Sequence, residues 1–166
     1  GIGRNLALRS YDLPDWGNFT NTIGASIHPA WHFGHFTRDQ FPFAVSLVSE
    51  LCNGASGSDP FWVTELQGGQ NHYSGGAYPL TPTENDLAQW TWTSITSDAQ
   101  KVIYWKLNYR SQGREVNQWS MLDFQHRPTE RLKVPADIAA TLEQHDELFS
   151  EAERLTAPIT ILISLE

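Results

Sequence analysis

The sequence predicts an α/β fold, because apolar runs of strand length alternate with helical patterns, and polar and aromatic residues gather after each run's carboxyl end. That alternation makes a parallel sheet with its site at the strand carboxyl ends. Length is the third observation: 166 residues hold about four such units, whereas a closed eight-stranded barrel takes about 250. The expected architecture is about (β/α)4, half of a (β/α)8 TIM barrel.

Residues 5–10, NLALRS, form a first short strand, stopped by YDLPDWG with Pro14 and Gly17 as breakers. Residues 23–28, IGASIH, form a second strand, closed by Pro29 and followed by the aromatic loop AWHFGHF. Thr37 then caps a helix whose Phe41, Ala44, Val45, Val48 and Leu51 recur at helical spacing, and the glycine-rich CNGASGSDP ends it. Residues 61–65, FWVTE, make the third strand, and a loop rich in Gly, Tyr and Pro runs on to Pro82. Thr83 caps a second helix through Ser97, with Leu87, Trp90 and Ile95 as its apolar stripe. The fourth strand, residues 102–107, VIYWKL, lacks clean alternation, as strands covered on both faces do. A polar loop with room for a short hairpin, residues 108–128, precedes a last helix. Pro135 opens that helix, which runs to about Glu153 with Ile138, Leu142, His145 and Phe149 on one side. The β-branched run at residues 159–163 reads as a strand that starts something new.

Composition narrows the function. With 19 acidic against 11 basic residues the net charge is −8, and no Lys/Arg cluster is present to neutralise phosphates, so nucleic acid is not an expected partner. No apolar stretch approaches the roughly 20 residues of a membrane span, and GIGRNLALRS has no signal-peptide core, so no membrane association is expected. Cys52, the single cysteine, rules out an internal disulfide and a cysteine metal site, which fits a cytoplasmic setting. His28, His32, His35, His72, His126 and His145 match no HExxH spacing, and neither a metal nor a cofactor is expected.

A carboxylate at the end of an apolar strand is the feature that asks for a chemical reason. A glutamate there is often a solvated terminus, and a loop glutamate is often an ordinary surface charge. Glu65, however, stands where a parallel strand meets its loop, the one place on a buried strand from which a carboxylate reaches a cleft. Glu115, in SQGREVNQWSML after the next strand, points to the same mouth, with Asn71, His72, Tyr73, Trp105, Asn108, Gln118 and Trp119 around it. Flat rings stack on the apolar faces of pyranoses, and amides and carboxylates bond hydroxyls, so this mixture suits carbohydrate.

These residues resemble glycoside hydrolase family 42, bacterial β-galactosidases with a (β/α)8 catalytic barrel. Trp62 and Glu65 look like the family's Trp-x-x-Glu strand that carries the nucleophile, Tyr73 like the aromatic eight residues on, and Trp90 with Trp92 like its Trp-x-Trp helix before VIYWKLNYR. Glu115, Gln118 and Met121-Leu122 are similar to its Glu-x-x-His element followed by Met-Leu, with Gln118 in place of the histidine and Tyr73 in place of a tryptophan. NLALRSYDLPDW and ASIHPAW resemble the fifth and sixth strands.

The resemblance implies that residues 1–156 are the C-terminal half of the barrel, strands 5 to 8, and that residues 157–166 open a flavodoxin-like domain that mediates trimer formation in the family. It implies a retaining reaction with Glu65 as nucleophile, Tyr73 beside the sugar, Glu115 and Gln118 on its hydroxyls, and the acid/base glutamate absent from this chain. The isolated chain is then expected to be inactive. Its two cut strands carry only Arg9 and Lys106 against edge pairing, so it is expected to form a homo-oligomer or to join the missing half-barrel. Three other readings stay open: another retaining hydrolase of the same clan, a non-catalytic carbohydrate-binding fragment, and an α/β domain of unrelated function.

Overall fold

A computed structural model of the chain describes residues 20–33, 35–57, 59–72, 80–155 and 157–159. The strand expected at residues 5–10, the site candidate Tyr73 and residues 160–166 of the expected next domain lie outside the described residues. Three strands, β1 (Ile23–Ile27), β2 (Phe61–Gln67) and β3 (Ala99–Trp105), form one parallel sheet in the order β1-β2-β3. Between β1 and β2 lie α1 (Pro29–His32), a 3-10 turn (Arg38–Gln40) and α2 (Phe41–Ser56), and α3 (Glu84–Thr96) connects β2 to β3. A long irregular segment then leads through the 3-10 turn Glu130–Leu132 to α4 (Lys133–Gln144) and α5 (Asp146–Glu151). The alternation read from the sequence is thus a parallel α/β sheet.

Local chemistry explains where each helix starts and stops. On α3 the capping box closes in both directions: Thr83 Oγ1 accepts from the Asp86 N–H at 3.2 Å, and the Thr83 N–H donates to Asp86 Oδ2 at 2.7 Å. The same carboxylate binds Arg38, tying the start of α3 to the approach to α2. α2 runs five residues into the stretch expected to end it, because one mid-helix glycine costs only about 1 kcal/mol. Gly57, at φ 64° and ψ −113°, stops it in a positive-φ conformation that only glycine adopts freely. Cys52, and not Leu51, therefore completes its buried stripe. Burial pushes that thiol up to about 11, so it is inert at neutral pH.

The last helix differs more from expectation. It begins at Lys133, where Pro135 still falls among the first residues whose N–H groups need no helical partner, and it breaks at His145. The break separates buried Ile138 from Phe149, which stacks on Trp92 at 5.9 Å. The hairpin expected over residues 108–128 reduces to an antiparallel bridge between Leu122 and Pro128. Asp123 closes it by accepting from the Arg127 and Gln125 N–H groups and the Arg127 guanidinium, and these bonds, that from the Arg127 backbone first, hold its carboxyl below the ordinary value.

The core lies on one face of the sheet. Ile23 and Ile27 of β1 and Phe61, Val63 and Leu66 of β2 pack with Phe41, Ala44, Val45 and Val48 of α2 and with Leu87 and Trp90 of α3. Each buried Val, Leu, Ile or Phe among them contributes about 1.5–3 kcal/mol by leaving water. β3 starts three residues earlier than expected and is not covered on both faces: Ile103 is 48% exposed and Lys101 lies over the Trp62 ring at 4.0 Å. Its position at the edge of the described sheet is the reason. Among the described residues no helix is long and apolar enough to cross a membrane.

Candidate active site

Glu65 does not end its strand, since β2 continues to Gln67. What presents it is a bulge. Ala25 of β1 pairs with Val63 and Ser26 with Glu65, while on the other side Val102 pairs with Val63 and Tyr104 with Leu66. Both neighbours therefore skip a residue of β2 between Val63 and Leu66. In a regular strand Glu65 would share the face of Phe61 and Val63 and be driven beneath the helices. The extra residue inverts the alternation, so that Leu66 enters the core at 0% exposure and half-buried Glu65 turns to the opposite face.

The carboxylate is held from β1. Ser26 Oγ donates to Glu65 Oε2 at 2.9 Å and lies 3.0 Å from His28 Nδ1. Next to it, the His28 N–H donates to His32 Nδ1 at 3.3 Å. Burial lowers His28 to about 3, helped by the neighbouring His32, and burial alone lowers His32 to about 4. Both imidazoles are neutral at ordinary pH. Among the described residues no third His, Cys, Asp or Glu joins them in a cluster that could hold a metal.

A serine, a histidine and a glutamate in contact have the composition of a hydrolase triad, but their order excludes one. A triad serine gives its proton to a histidine that a carboxylate supports from behind. Here the serine stands in the middle and bonds the carboxylate itself.

An aromatic shelf adjoins this network. The edge of His28 meets the Trp119 ring at 4.7 Å, and Trp31, 45% exposed, lies 6.1 Å from Trp119. Trp119 has φ 64°, an uncommon conformation for so bulky a residue, and its backbone is bonded on both sides to keep it there. Its N–H donates to Gln70 O and its carbonyl accepts from the Lys106 N–H, each at 2.8 Å. Arg131 adds a latch, donating to the carbonyls of Gly68 and Ser120. The loops after β1, β2 and β3 thus converge near Glu65.

Other sequence candidates take varied places. Gln118 is buried, with Oε1 accepting from the His72 N–H at 2.7 Å, which uses one of that oxygen's two lone pairs. Asn71 is fully buried and its backbone pairs with Leu80, but its side-chain amide has no hydrogen-bond partner among the described residues. Trp105 is half-buried at the end of β3, where its carbonyl accepts from the Gly68 N–H. Glu115 is engaged by Lys106 at 3.4 Å and Arg110 at 3.0 Å. Among the described residues no hydrogen bond joins Glu65 to Glu115, Gln118, Asn71 or Trp105. An open concavity of about 500 Å3 is lined by residues 106–112 and does not include Glu65. Ser26, Trp31 and Arg131 were not legible as site residues, because only strand register brings Ser26 to Glu65 and only loop packing brings Trp31 to Trp119 and Arg131 to Gly68 and Ser120.

The convergence depends on Gly69. A Cβ there would stand 2.2 Å from Ser120 O and 2.5 Å from the Trp119 carbonyl carbon, both backbone atoms with nowhere to rotate. Gly69→Ala is expected to destabilise the fold by at least about 2 kcal/mol. Gly54→Ala, in open space on α2, is expected to stabilise it by about 0.5–1 kcal/mol. Urea midpoints of the two variants check this, and equal midpoints would mean that the two loops do not touch at Gly69.

The family model described as β-galactosidase, glycoside hydrolase family 42, matches residues 4–145. The structure is similar to the β-galactosidase of the psychrophilic Marinomonas ef1, with a TM-score of 0.71 at 20% identity over 86% of this chain and 24% of that one. It is similar to the β-galactosidase of the Antarctic haloarchaeon Halorubrum lacusprofundi, with a TM-score of 0.71 at 20% identity over 90% of this chain and 23% of that one. For the β-galactosidase of Bacillus circulans sp. alkalophilus the TM-score is 0.69 at 16% identity, over 85% of this chain and 20% of that one. The chain therefore spans about a quarter or less of these proteins. No curated protein sequence matches it. At these identities the structures speak for the fold, whereas the family model takes in all three strands and the whole Glu65 network: this chain belongs to glycoside hydrolase family 42, the β-galactosidase family.

Proposed function

We propose that the intact protein is a retaining glycosidase that cleaves terminal β-galactosides on a (β/α)8 barrel to which this chain contributes the C-terminal strands, with Glu65 as its nucleophile. The observation that carries this reading is the bulge in β2, which takes one carboxylate out of the core and presents it, bonded by Ser26, beside a tryptophan shelf. A Glu65 oxygen bonds to the anomeric carbon as the glycosidic bond breaks, and a second carboxyl about 5 to 5.5 Å away protonates the leaving oxygen. The second carboxyl then deprotonates the water that displaces Glu65, and the configuration is retained. That acid/base comes from a part of the protein outside these residues. Trp31, 45% exposed and backed by buried Trp119, offers an apolar surface on which a pyranose stacks.

In a galactoside inactivator, fluorine at C2 slows both steps and a good leaving group restores the first, so the covalent intermediate accumulates. Mass spectrometry of the digested intact protein is expected to find the sugar on the peptide containing FWVTELQGG. A label on Glu115 would overturn the assignment of the nucleophile. Failure of any galactoside to label or turn over, with another glycoside succeeding, would move the substrate to a different sugar.

A further inference from the structure

We infer that Ser26 and His28 form a positioning relay for Glu65, in which a neutral His28 holds the Ser26 hydroxyl so that its single proton is always directed at the carboxylate. The inference rests on the reading of Glu65 as nucleophile, and it assigns roles to two side chains that the sugar chemistry does not itself require.

An ionised carboxylate only accepts, so the 2.9 Å contact between Ser26 Oγ and Glu65 Oε2 uses the one hydroxyl proton. Ser26 Oγ can then meet His28 Nδ1, 3.0 Å away, only as an acceptor, which places the imidazole proton on Nδ1. The ring is fixed by packing: His28 is 2% exposed, with Trp119 against it at 4.7 Å and His32 at 5.5 Å. His32 cannot reverse the order, because its own Nδ1 is occupied as acceptor for the His28 backbone N–H. Charged groups on the neighbouring elements are engaged elsewhere: Lys106 and Arg110 with Glu115, Lys101 over Trp62, and Arg131 on the carbonyls of Gly68 and Ser120. Among the described residues Ser26 is thus the group that fixes the rotation of the Glu65 carboxylate, and His28 is the group that fixes Ser26.

Two measurements on the intact protein test this. With 15N-labelled histidine, the His28 side-chain resonances, assigned by their loss in His28→Gln, are expected to report a neutral ring protonated at Nδ1, and Ser26→Ala is expected to move the proton to Nε2 or mix the tautomers. In steady-state hydrolysis of a nitrophenyl galactoside, Ser26→Ala is expected to lower kcat by about 10- to 100-fold with KM changed by less than about threefold, the loss of one hydrogen bond to a charged group. Ser26→Thr, which keeps the hydroxyl, is expected to restore most of kcat. A wild-type His28 protonated at Nε2, or a Ser26→Ala enzyme with unchanged kcat and an intact fold, would overturn the relay. If Glu65→Gln keeps turnover, the reading of Glu65 falls, and the histidine resonances decide the hydrogen-bond order on their own.

Discussion

Glu65→Gln in the intact protein is expected to lower kcat for a nitrophenyl β-galactoside by about 10⁴-fold or more, the scale seen when a covalent nucleophile is removed. The amide has nearly the shape of the carboxylate and still offers an oxygen to the Ser26 hydroxyl, so the β2 bulge has no reason to change. What disappears is the oxygen able to bond the anomeric carbon. Glu65→Ala extends the test, because the space it opens admits azide, which attacks from the vacated side and yields the α-galactosyl azide. Glu115→Gln is the contrast: it releases Lys106 and Arg110 from their shared carboxylate, and its effect is expected mainly in KM. An unchanged melting temperature in Glu65→Gln, together with kcat within tenfold of wild type, would mean that the bulge serves another purpose.

The second large effect is acid lability. His28 and His32 have folded pKa values of about 3 and about 4, whereas an exposed histidine in the unfolded chain titrates near 6.5. Between those values the unfolded chain binds protons that the folded chain refuses, so stability rises with pH across the window and is lost as pH falls. By pH 4.5 the two sites together have lowered stability by on the order of 5 kcal/mol, comparable to the whole margin of a small domain. Urea unfolding at intervals from pH 7 to 4 is expected to show a slope approaching uptake of two protons, and the double variant His28→Gln/His32→Gln is expected to flatten it. A slope unaffected by the double substitution would place the acid-sensitive groups elsewhere.

Much of this architecture was legible because the signals are local. The Thr83 capping box, the Leu87 and Trp90 stripe and the Phe41 to Val48 stripe are set by neighbours a few residues away, and each stands in the structure as expected. Element ends were less legible. α2 runs through Gly54 because packing outweighs the glycine's weak preference, and the last helix breaks at His145 within a pattern that looks continuous. The covering of β3 depends on which strands stand beside it, so its mixed pattern suggested two covered faces that Lys101 and Ile103 do not have.

The sequence by itself determined the order of the three described strands and the longer helices between them, the placing of Glu65 on an apolar strand, and enough of Trp62, Glu65, Trp90 and Glu115 in their spacing to name the family. Only the tertiary structure decided how Glu65 is presented. The bulge exists in the register of two neighbouring strands at once, and no period within FWVTELQ contains that register. Ser26 meets Glu65 across 39 residues of sequence because β1 and β2 pair in parallel. Likewise, the neutrality of His28 comes from the side chains that bury it and from His32, since the free energy of a charge is set by its surroundings and not by its own identity.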